Sequence, residues 1–432
     1  MKTMTDEYEL NQAIQYVATA PNRSEAYNRY EEHQLLLKEW RILYADESDT
    51  GPYPLRRHQF SHKGFVSTLF RGSTLWVLDS DVVTHHSVQS FYIGYGTFVD
   101  SNVASYISAL AYRPDPSENL LTFCQELTQS IPAEELARVN PYLYLWESQS
   151  HRSSESLNGM RQTMAALNYL KKFPGPLDAE WGRRYRAEYQ QESEAKADLF
   201  LADFFQNIEQ GLEKELSAMV DILELILLRT KVIEMRSNRS SQNKILELVQ
   251  FMDEDVSTLM FRELMICCDI LSKENSTQMA MKLHSLQDNP SPLELVRNCA
   301  QDLYFLRAMD MLTNSTRDKK GADFYIANLI THDKDVKDII CHTELRAIAI
   351  HRHSSAIFPI YEQSIPELLE QRLGEKRFIA LSDIFSVEGF SRRAKNRSRH
   401  HIGQLLVNER MTLRTLIDEK KSATLRRKAS VK

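Results

Sequence analysis

Three aspartates far apart in the sequence have the residue type and the local setting of ligands to a divalent metal ion. Asp100 directly follows a β-like run at 91–99, and Asp333 follows an apolar run that ends at Thr331. Asp302 lies within a strongly apolar helical pattern, where an unpaired carboxylate is costly. Carboxylate oxygens suit Mg²⁺ and Mn²⁺, and such clusters activate water for phosphodiester hydrolysis. The pattern therefore predicts a metal site assembled from remote parts of the chain.

The elements around these aspartates indicate how they would meet. Ligands gather at the carboxyl ends of the strands in an open α/β sheet, so neighbouring parallel strands would bring Asp100 and Asp333 to one edge. Each aspartate also has a purely structural interpretation. Asp is a preferred helix N-cap, which would account for Asp100 and Asp333 taken singly. Asp302 could instead form an ion pair with Arg297 or Arg307.

Three short motifs resemble the acidic motifs of the PIN-like nuclease family. They are the segments at 99–103 (VDSNV), 302–308 (DLYFLRA) and 330–335 (ITHDKD). The resemblance implies a parallel sheet flanked by helices and a Mg²⁺ or Mn²⁺ site that cuts RNA, less often DNA. It implies a set of metal ligands and of supporting residues. The ligands would be Asp100, Asp302, Asp333 and Asp335, with Asn102 and Thr331 in support.

The resemblance also implies a catalytic glutamate, for which the sequence offers two candidates. Glu147 stands 47 residues after Asp100, the spacing of a compact PIN domain, and follows a strand-like aromatic segment at 140–146. Glu263 lies inside an apolar helical pattern, where a buried carboxylate is costly unless it has a function or a partner such as Arg262. We slightly favour Glu147 and keep both as candidate catalytic residues.

A second acidic pair competes with Asp100 for the first motif. Asp79 and Asp81 follow the β-like sequence TLWVL, which makes a good strand. We find no clean helical pattern after this pair, whereas Val103 begins one after Asp100. Asp79 and Asp81 therefore rank second.

The predicted domain organisation follows from the long separation of Asp100 and Asp302. Residues 153–288 have a mostly helical pattern and are predicted to interrupt the α/β domain, in a chain that is predominantly helical overall. In order, we predict an N-terminal helical cap (1–50), the first part of the PIN-like α/β domain (51–152), the all-helical insertion (153–288), the second part of the domain with the acidic site (289–390) and a basic C-terminal tail (391–432).

The charge of the chain is unevenly distributed. The net charge is −6, but residues 391–432 contain 13 Lys or Arg and 3 acidic residues, a net charge of +10. A basic segment on an acidic body favours a polyanion partner or a solvated surface tail in equal measure. The family resemblance implies that a nucleic-acid partner would be RNA more often than DNA. The candidate nucleic-acid contacts in this segment are Arg392, Arg393, Lys395, Arg397 and Arg399.

Composition restricts the class of protein. Hydrophobic residues make up 42% and charged residues 26% of the 432 positions, as in globular proteins. The apolar runs are too short to span a bilayer, the N-terminus has no apolar leader, and the five cysteines include no CxxC pair. We therefore expect a cytoplasmic protein with no membrane partner. Its long charged helices suit a homo-oligomer or an inhibitory protein partner.

These features together predict a metal-dependent endonuclease that hydrolyses phosphodiester bonds, most readily in RNA. By analogy with the fold, such an enzyme would serve as a toxin or an antiviral defence effector. The alternative is a non-catalytic nucleic-acid-binding or regulatory protein that keeps the PIN-like fold. A third hypothesis is a purely helical interaction scaffold.

Overall fold

The computed structural model of the chain describes residues 4–48, 51–85, 90–148, 153–314 and 322–430. This part is mostly helical and contains two five-stranded sheets, so the predicted mixture of helices and strands is present. Residues 315–321, for which the polar sequence between the Asp302 and Asp333 segments predicts a loop, lie outside the described residues. None of the described helices combines the length and the apolar character needed to cross a membrane.

The strands are short and most are buried. In chain order they are β1 (Trp40–Asp46), β2 (Tyr53–Pro54), β3 (Arg57–Gln59), β4 (Phe65–Ser67), β5 (Thr74–Leu78), β6 (Ile93–Val99), β7 (Val139–Asn140), β8 (Phe324–Thr331), β9 (Leu345–His351) and β10 (Ile357–Tyr361).

The first sheet is entirely antiparallel, with the strand order β10-β9-β1-β5-β2. Its central strand, β1, lies in the segment that the sequence pattern assigned to a helical cap. Six of its seven residues are buried, so the strand has apolar contacts on both faces. A short apolar run buried on both faces lacks alternation and cannot be told from a buried helix by periodicity. The helical cap therefore ends before Trp40.

The second sheet is mixed and not fully parallel, with the order β3-β4-β8-β6-β7. β8, β6 and β7 run parallel, whereas β4 pairs antiparallel with β8 and β3 antiparallel with β4. The predicted parallel sheet is thus reduced to three strands. In the β6–β8 pair, Val99 lies opposite Ile330, so the two strands end at the same edge.

Helices before residue 150 cover both sheets. They are α1 (Met4–Ala18), α2 (Arg23–Glu32), α3 (Gln34–Leu37), α4 (Ser80–His85), α5 (Ser101–Tyr112), α6 (Glu118–Ser130), α7 (Ala133–Leu136) and α8 (Tyr142–Ser148). α1 packs against α2, α3 and the first sheet, while α5 and α8 pack on the second.

The middle of the chain is helical, as predicted. Its helices are α9 (Ser154–Lys172), α10 (Ala179–Arg184), α11 (Gln190–Asn207), α12 (Glu213–Arg236), α13 (Ser241–Glu254), α14 (Phe261–Ser272) and α15 (Gln278–His284), with π-helical turns at Tyr185–Tyr189 and Ile208–Leu212. Their buried side chains, such as Leu167 and Ile226, belong to one continuous core with Val66 and Val99 of the second sheet. This segment is therefore packed onto the α/β part and shares its core.

The C-terminal part returns to both sheets and ends in a long helix. Its helices are α16 (Pro292–Leu312), α17 (Lys334–His342), α18 (Ile365–Leu373), α19 (Glu375–Ile379), α20 (Val387–Asn396) and α21 (Arg399–Ser430). α21 packs along α12 and buries Leu413 and Ile417, so the segment predicted as a basic tail is largely a docked helix.

Candidate functional site

Asp100 lies where β6 ends and α5 begins. Its Oδ1 accepts a hydrogen bond from the Val103 amide at 2.7 Å, which makes it the N-cap of α5. Its Oδ2 accepts from the Thr331 hydroxyl at 2.5 Å and from the His332 amide at 2.9 Å. The carboxylate thus caps a helix and also joins the carboxyl ends of the two parallel strands, so the N-cap interpretation of Asp100 is confirmed.

Asp333 is positioned by the same network. It caps α17, accepting a hydrogen bond from the Asp335 amide at 2.7 Å, and its own amide donates to the Thr331 hydroxyl at 2.9 Å. Thr331 therefore connects Asp100 with Asp333 through one buried hydroxyl. Asp335 itself is buried and forms an ion pair with Lys282 of α15.

Glu147 reaches the same region from α8. Its Oε1 accepts a hydrogen bond from the Ser101 hydroxyl at 3.2 Å. Burial raises the pKa of Glu147 to about 7, with the negative charges of Asp100 and Asp333 adding to the effect and the Ser101 hydrogen bond opposing it. The preceding strand, β7, ends at Asn140, so the expectation that Glu147 follows a strand was wrong. Buried apolar residues on a short helix produced the strand-like pattern.

Asp302 faces the same carboxylates from α16. Its pKa is raised well above the ordinary value by burial and then by the charges of Asp333, Glu147 and Asp335, with Lys282 opposing. The arginines proposed as its partners are engaged elsewhere. Arg297 pairs with Asp221 and Glu224, and Arg307 pairs with Glu263.

These groups border an open cleft of about 880 Å³, which we name the acidic cleft. Glu147, Asp302 and Asp333 line it, together with the exposed side chain of Asn102, while Asp100 lies buried behind them. Helix α9 of the middle segment forms a wall of the cleft through residues such as Met160 and Thr163. The cleft is therefore built from both the α/β part and the segment predicted as an insertion.

The sequence analysis missed two residues of this cleft, Ser101 and Lys282. Ser101 orients Glu147, and it stands beside Asp100 in a motif that could have suggested it. Lys282 is 47% exposed and opposes the negative charge of three aspartates. Nothing in its local sequence (MKLHS) distinguishes it from the solvated face of an amphipathic helix.

Glu263, the other candidate glutamate, belongs to a buried ion-pair cluster. Its Oε1 accepts from Arg307 Nε at 2.9 Å, and the neighbouring Arg262 and Asp310 are joined at 3.2 Å. Burial alone would raise the pKa of Glu263, but the charge and hydrogen bonds of Arg307 outweigh burial and lower it. The structure thus brings Glu147 to the cleft and leaves Glu263 in the core.

Asp79 also has a structural role. The helix α4 does follow it, contrary to the sequence interpretation, and Asp79 accepts hydrogen bonds from the amides of Asp81 and Val82. Its other oxygen lies 3.3 Å from Arg41 Nε. This carboxylate is paired with Arg41 beside the first sheet and lies away from the acidic cleft.

The five basic residues proposed to bind nucleic acid do not line the acidic cleft. Arg392 and Arg393 form ion pairs with the buried Asp253, and Arg397 donates to the Ser257 carbonyl at 3.2 Å. These contacts attach α20 and the start of α21 to the body of the molecule. The remaining two, Lys395 and Arg399, are exposed.

The donor set of the cleft is suited chemically to a hard divalent cation. All of its acidic groups offer oxygen ligands. Burial and mutual repulsion raise the pKa of Asp302 and Glu147, and a bound cation would offset this repulsion. Within the described ranges, however, no three His, Cys, Asp or Glu side chains are arranged to hold a metal ion as they stand. Binding would therefore require the carboxylates to move closer together.

Comparison with models of known protein families finds none that matches this chain, and comparisons with curated proteins and with solved structures find no match either.

The raised pKa values predict how stability depends on pH in the absence of metal. Glu147 binds its proton more tightly when folded, so stability falls as pH rises from about 4.5 towards about 7. Glu147→Gln should remove this contribution, on the order of 1–3 kcal/mol at pH 7.5. Denaturant unfolding in EDTA across this range measures it. Parallel stability profiles for the two proteins would contradict the electrostatic analysis.

The two glutamates should respond oppositely to neutralisation. Glu263→Gln removes the closer charge partner of the largely buried Arg307 and leaves it only Asp310 at 3.9 Å, so it should lower the free energy of unfolding by about 3 kcal/mol. Glu147→Gln relieves repulsion and should not lower it at pH 7.5. Urea denaturation measures both, with exposed Glu370→Gln as the matched control. Equal destabilisation of the two variants would show that Glu147 is as structural as Glu263.

Proposed function

We propose that this chain is a metal-dependent nuclease that hydrolyses phosphodiester bonds, with RNA as the favoured substrate. One observation carries the proposal: three carboxylates from separate elements, Glu147, Asp302 and Asp333, line one cleft, and a fourth, Asp100, lies buried behind them. An excess of buried negative charge costs stability, so its presence in a cleft favours a functional role. RNA is preferred on the resemblance of the acidic motifs.

In this mechanism Asp302 and Asp333 would hold Mg²⁺ or Mn²⁺, with Asp100 fixing the strand ends behind them and Asp335 as a candidate further ligand. When bound, such an ion supplies a Lewis acid that polarises the phosphate and acidifies water. Thr331 holds Asp100 through its hydroxyl, and Asn102 projects into the cleft.

Glu147 is the candidate general base. Its carboxylate lines the cleft beside the proposed metal ligands, and burial raises its pKa to about 7 in the metal-free protein, towards the range suited to accepting a proton from water. The hydrogen bond from Ser101 holds one of its oxygens in place. Exposed Arg113 lines the same cleft and could contact a phosphate of the substrate.

The test compares cleavage by wild type with Asp302→Asn and Asp333→Asn. Fluorescent single-stranded RNA, double-stranded RNA and single-stranded DNA are incubated with Mg²⁺ or Mn²⁺ and with EDTA. Because each substitution removes a ligand, we expect cation-dependent cleavage to fall at least about 100-fold. Exposed Asp115→Asn should cleave like wild type. Unchanged cation-dependent cleavage by both cleft variants would refute the proposal.

Metal binding is tested separately from cleavage. Mn²⁺ at about 100 times its Kd should stabilise wild type by about 2.7 kcal/mol, and Asp302→Asn should lose most of this gain. Thermal unfolding with and without Mn²⁺ measures it. Nucleic-acid binding without stabilisation by metal and without cleavage would instead support the non-catalytic alternative.

A further inference from the structure

A second polar cavity, of about 550 Å³, lies among the helices of the middle segment and α21. The end of α12, the start of α13, the end of α14, α15 and α21 all contribute to it. We name it the basic cavity after its charged lining. Its cationic residues are Lys231, Arg239, Lys244, Lys273 and Lys420, against one acidic lining residue, Glu234.

Two lysines of this cavity are buried, and both contact Glu234, one through its carboxylate and the other through its backbone carbonyl. Lys231 is 2% and Lys244 7% exposed. Lys231 forms an ion pair with Glu234, and Lys244 Nζ lies 3.4 Å from the backbone carbonyl of the same residue. The ring of His284 also approaches the Glu234 carboxylate, at 3.7 Å. Glu234 is thus the one acid of the lining that these three side chains approach, while Arg239 pairs with Glu247 outside the lining.

The pKa values of the two buried lysines, Lys231 and Lys244, are both lowered. Burial lowers the pKa of Lys231, and so do the charges of Lys420 and Lys244, although Glu234 opposes them. Burial likewise lowers the pKa of Lys244, and the positive charges of Lys273, Lys420 and Arg239 act in the same direction. Two buried ammonium groups with further cations around them, and one acid in the cavity lining, are stabilised by an anion.

Lys273, which also lines the basic cavity, has an unusual backbone conformation. It ends α14 in the left-handed conformation, with φ 59° and ψ 34°. Glycine is the relaxed residue at this position of a helix end, because a side chain there meets its own backbone. Lys273, at the rim of the basic cavity, therefore adopts a backbone conformation that lysine disfavours.

The lining identifies the chemical class of the ligand. Ammonium groups act as point charges for phosphate oxygens, and the hydroxyls of Ser237 and Ser241 add hydrogen-bonding groups. The residues that line the cavity include no Phe, Tyr or Trp, and the one imidazole, His284, lies 3.7 Å from the Glu234 carboxylate. We propose that the basic cavity binds a small, multiply phosphorylated anion and recognises it through its phosphates.

The test uses inorganic tripolyphosphate as the probe, measured by isothermal titration calorimetry on the full chain. We expect one saturable site, with single phosphate binding much more weakly. Lys273→Gly should weaken tripolyphosphate binding roughly tenfold, since one charge-assisted contact is lost. The same variant should not lower the Tm, because glycine suits the left-handed backbone.

Three further measurements complete the test. Lys231→Met should abolish binding if it folds, and the exposed control Lys376→Met should bind like wild type. Absence of saturable tripolyphosphate binding, or equal affinity of wild type and Lys273→Gly, would overturn the proposal. Tighter binding of a single-stranded RNA, lost in Lys273→Gly, would also overturn it by assigning the cavity to nucleic acid. Since the assay needs no cleavage, its result is independent of the nuclease proposal.

Discussion

The parallel pairing of β6 with β8 is the constraint on which the acidic site depends. Their register places Val99 opposite Ile330, so the residues that follow each strand emerge at one edge of the sheet. Thr331 then fixes Asp100 by a hydrogen bond and accepts another from the Asp333 amide. A shift of one residue would turn the alternate side chains to the other face and separate this network. Strand register therefore decides whether the carboxylates meet at all.

The molecule handles buried charge in two different ways, and the contrast locates the site. In the core, Arg307 neutralises Glu263 and Arg262 neutralises Asp310 at short distance. Around Asp302, by contrast, the nearest charges that affect its pKa are mainly other carboxylates. A buried charge with an opposite partner is compensated, whereas clustered like charges destabilise the folded state and mark a candidate functional site. Residues of the same chemical type thus have opposite consequences, set by their neighbours.

Local signals explain which features the sequence could predict. Asp100 and Asp333 were placed at strand ends because each follows an apolar run and precedes a helical pattern, and the structure places them there. The choice between Glu147 and Glu263 depends on Arg307, a tertiary partner that no local pattern reveals. Residues 40–46 were predicted as helix because a strand buried on both faces loses its alternation. Local rules thus failed where burial or a distant partner decided.

The middle helical segment is an integral part of both cavities, and α15 shows why. Its buried face, with Met279 and Leu283, packs into the core, and the Thr277 hydroxyl caps its first turn. Lys282 extends from this short helix to the acidic cleft, while His284, two residues on, lines the basic cavity. A displacement of α15 would move a positive charge away from the carboxylates and reshape the basic cavity at the same time. The apolar packing beneath α15 therefore sets the electrostatic balance on both of its sides.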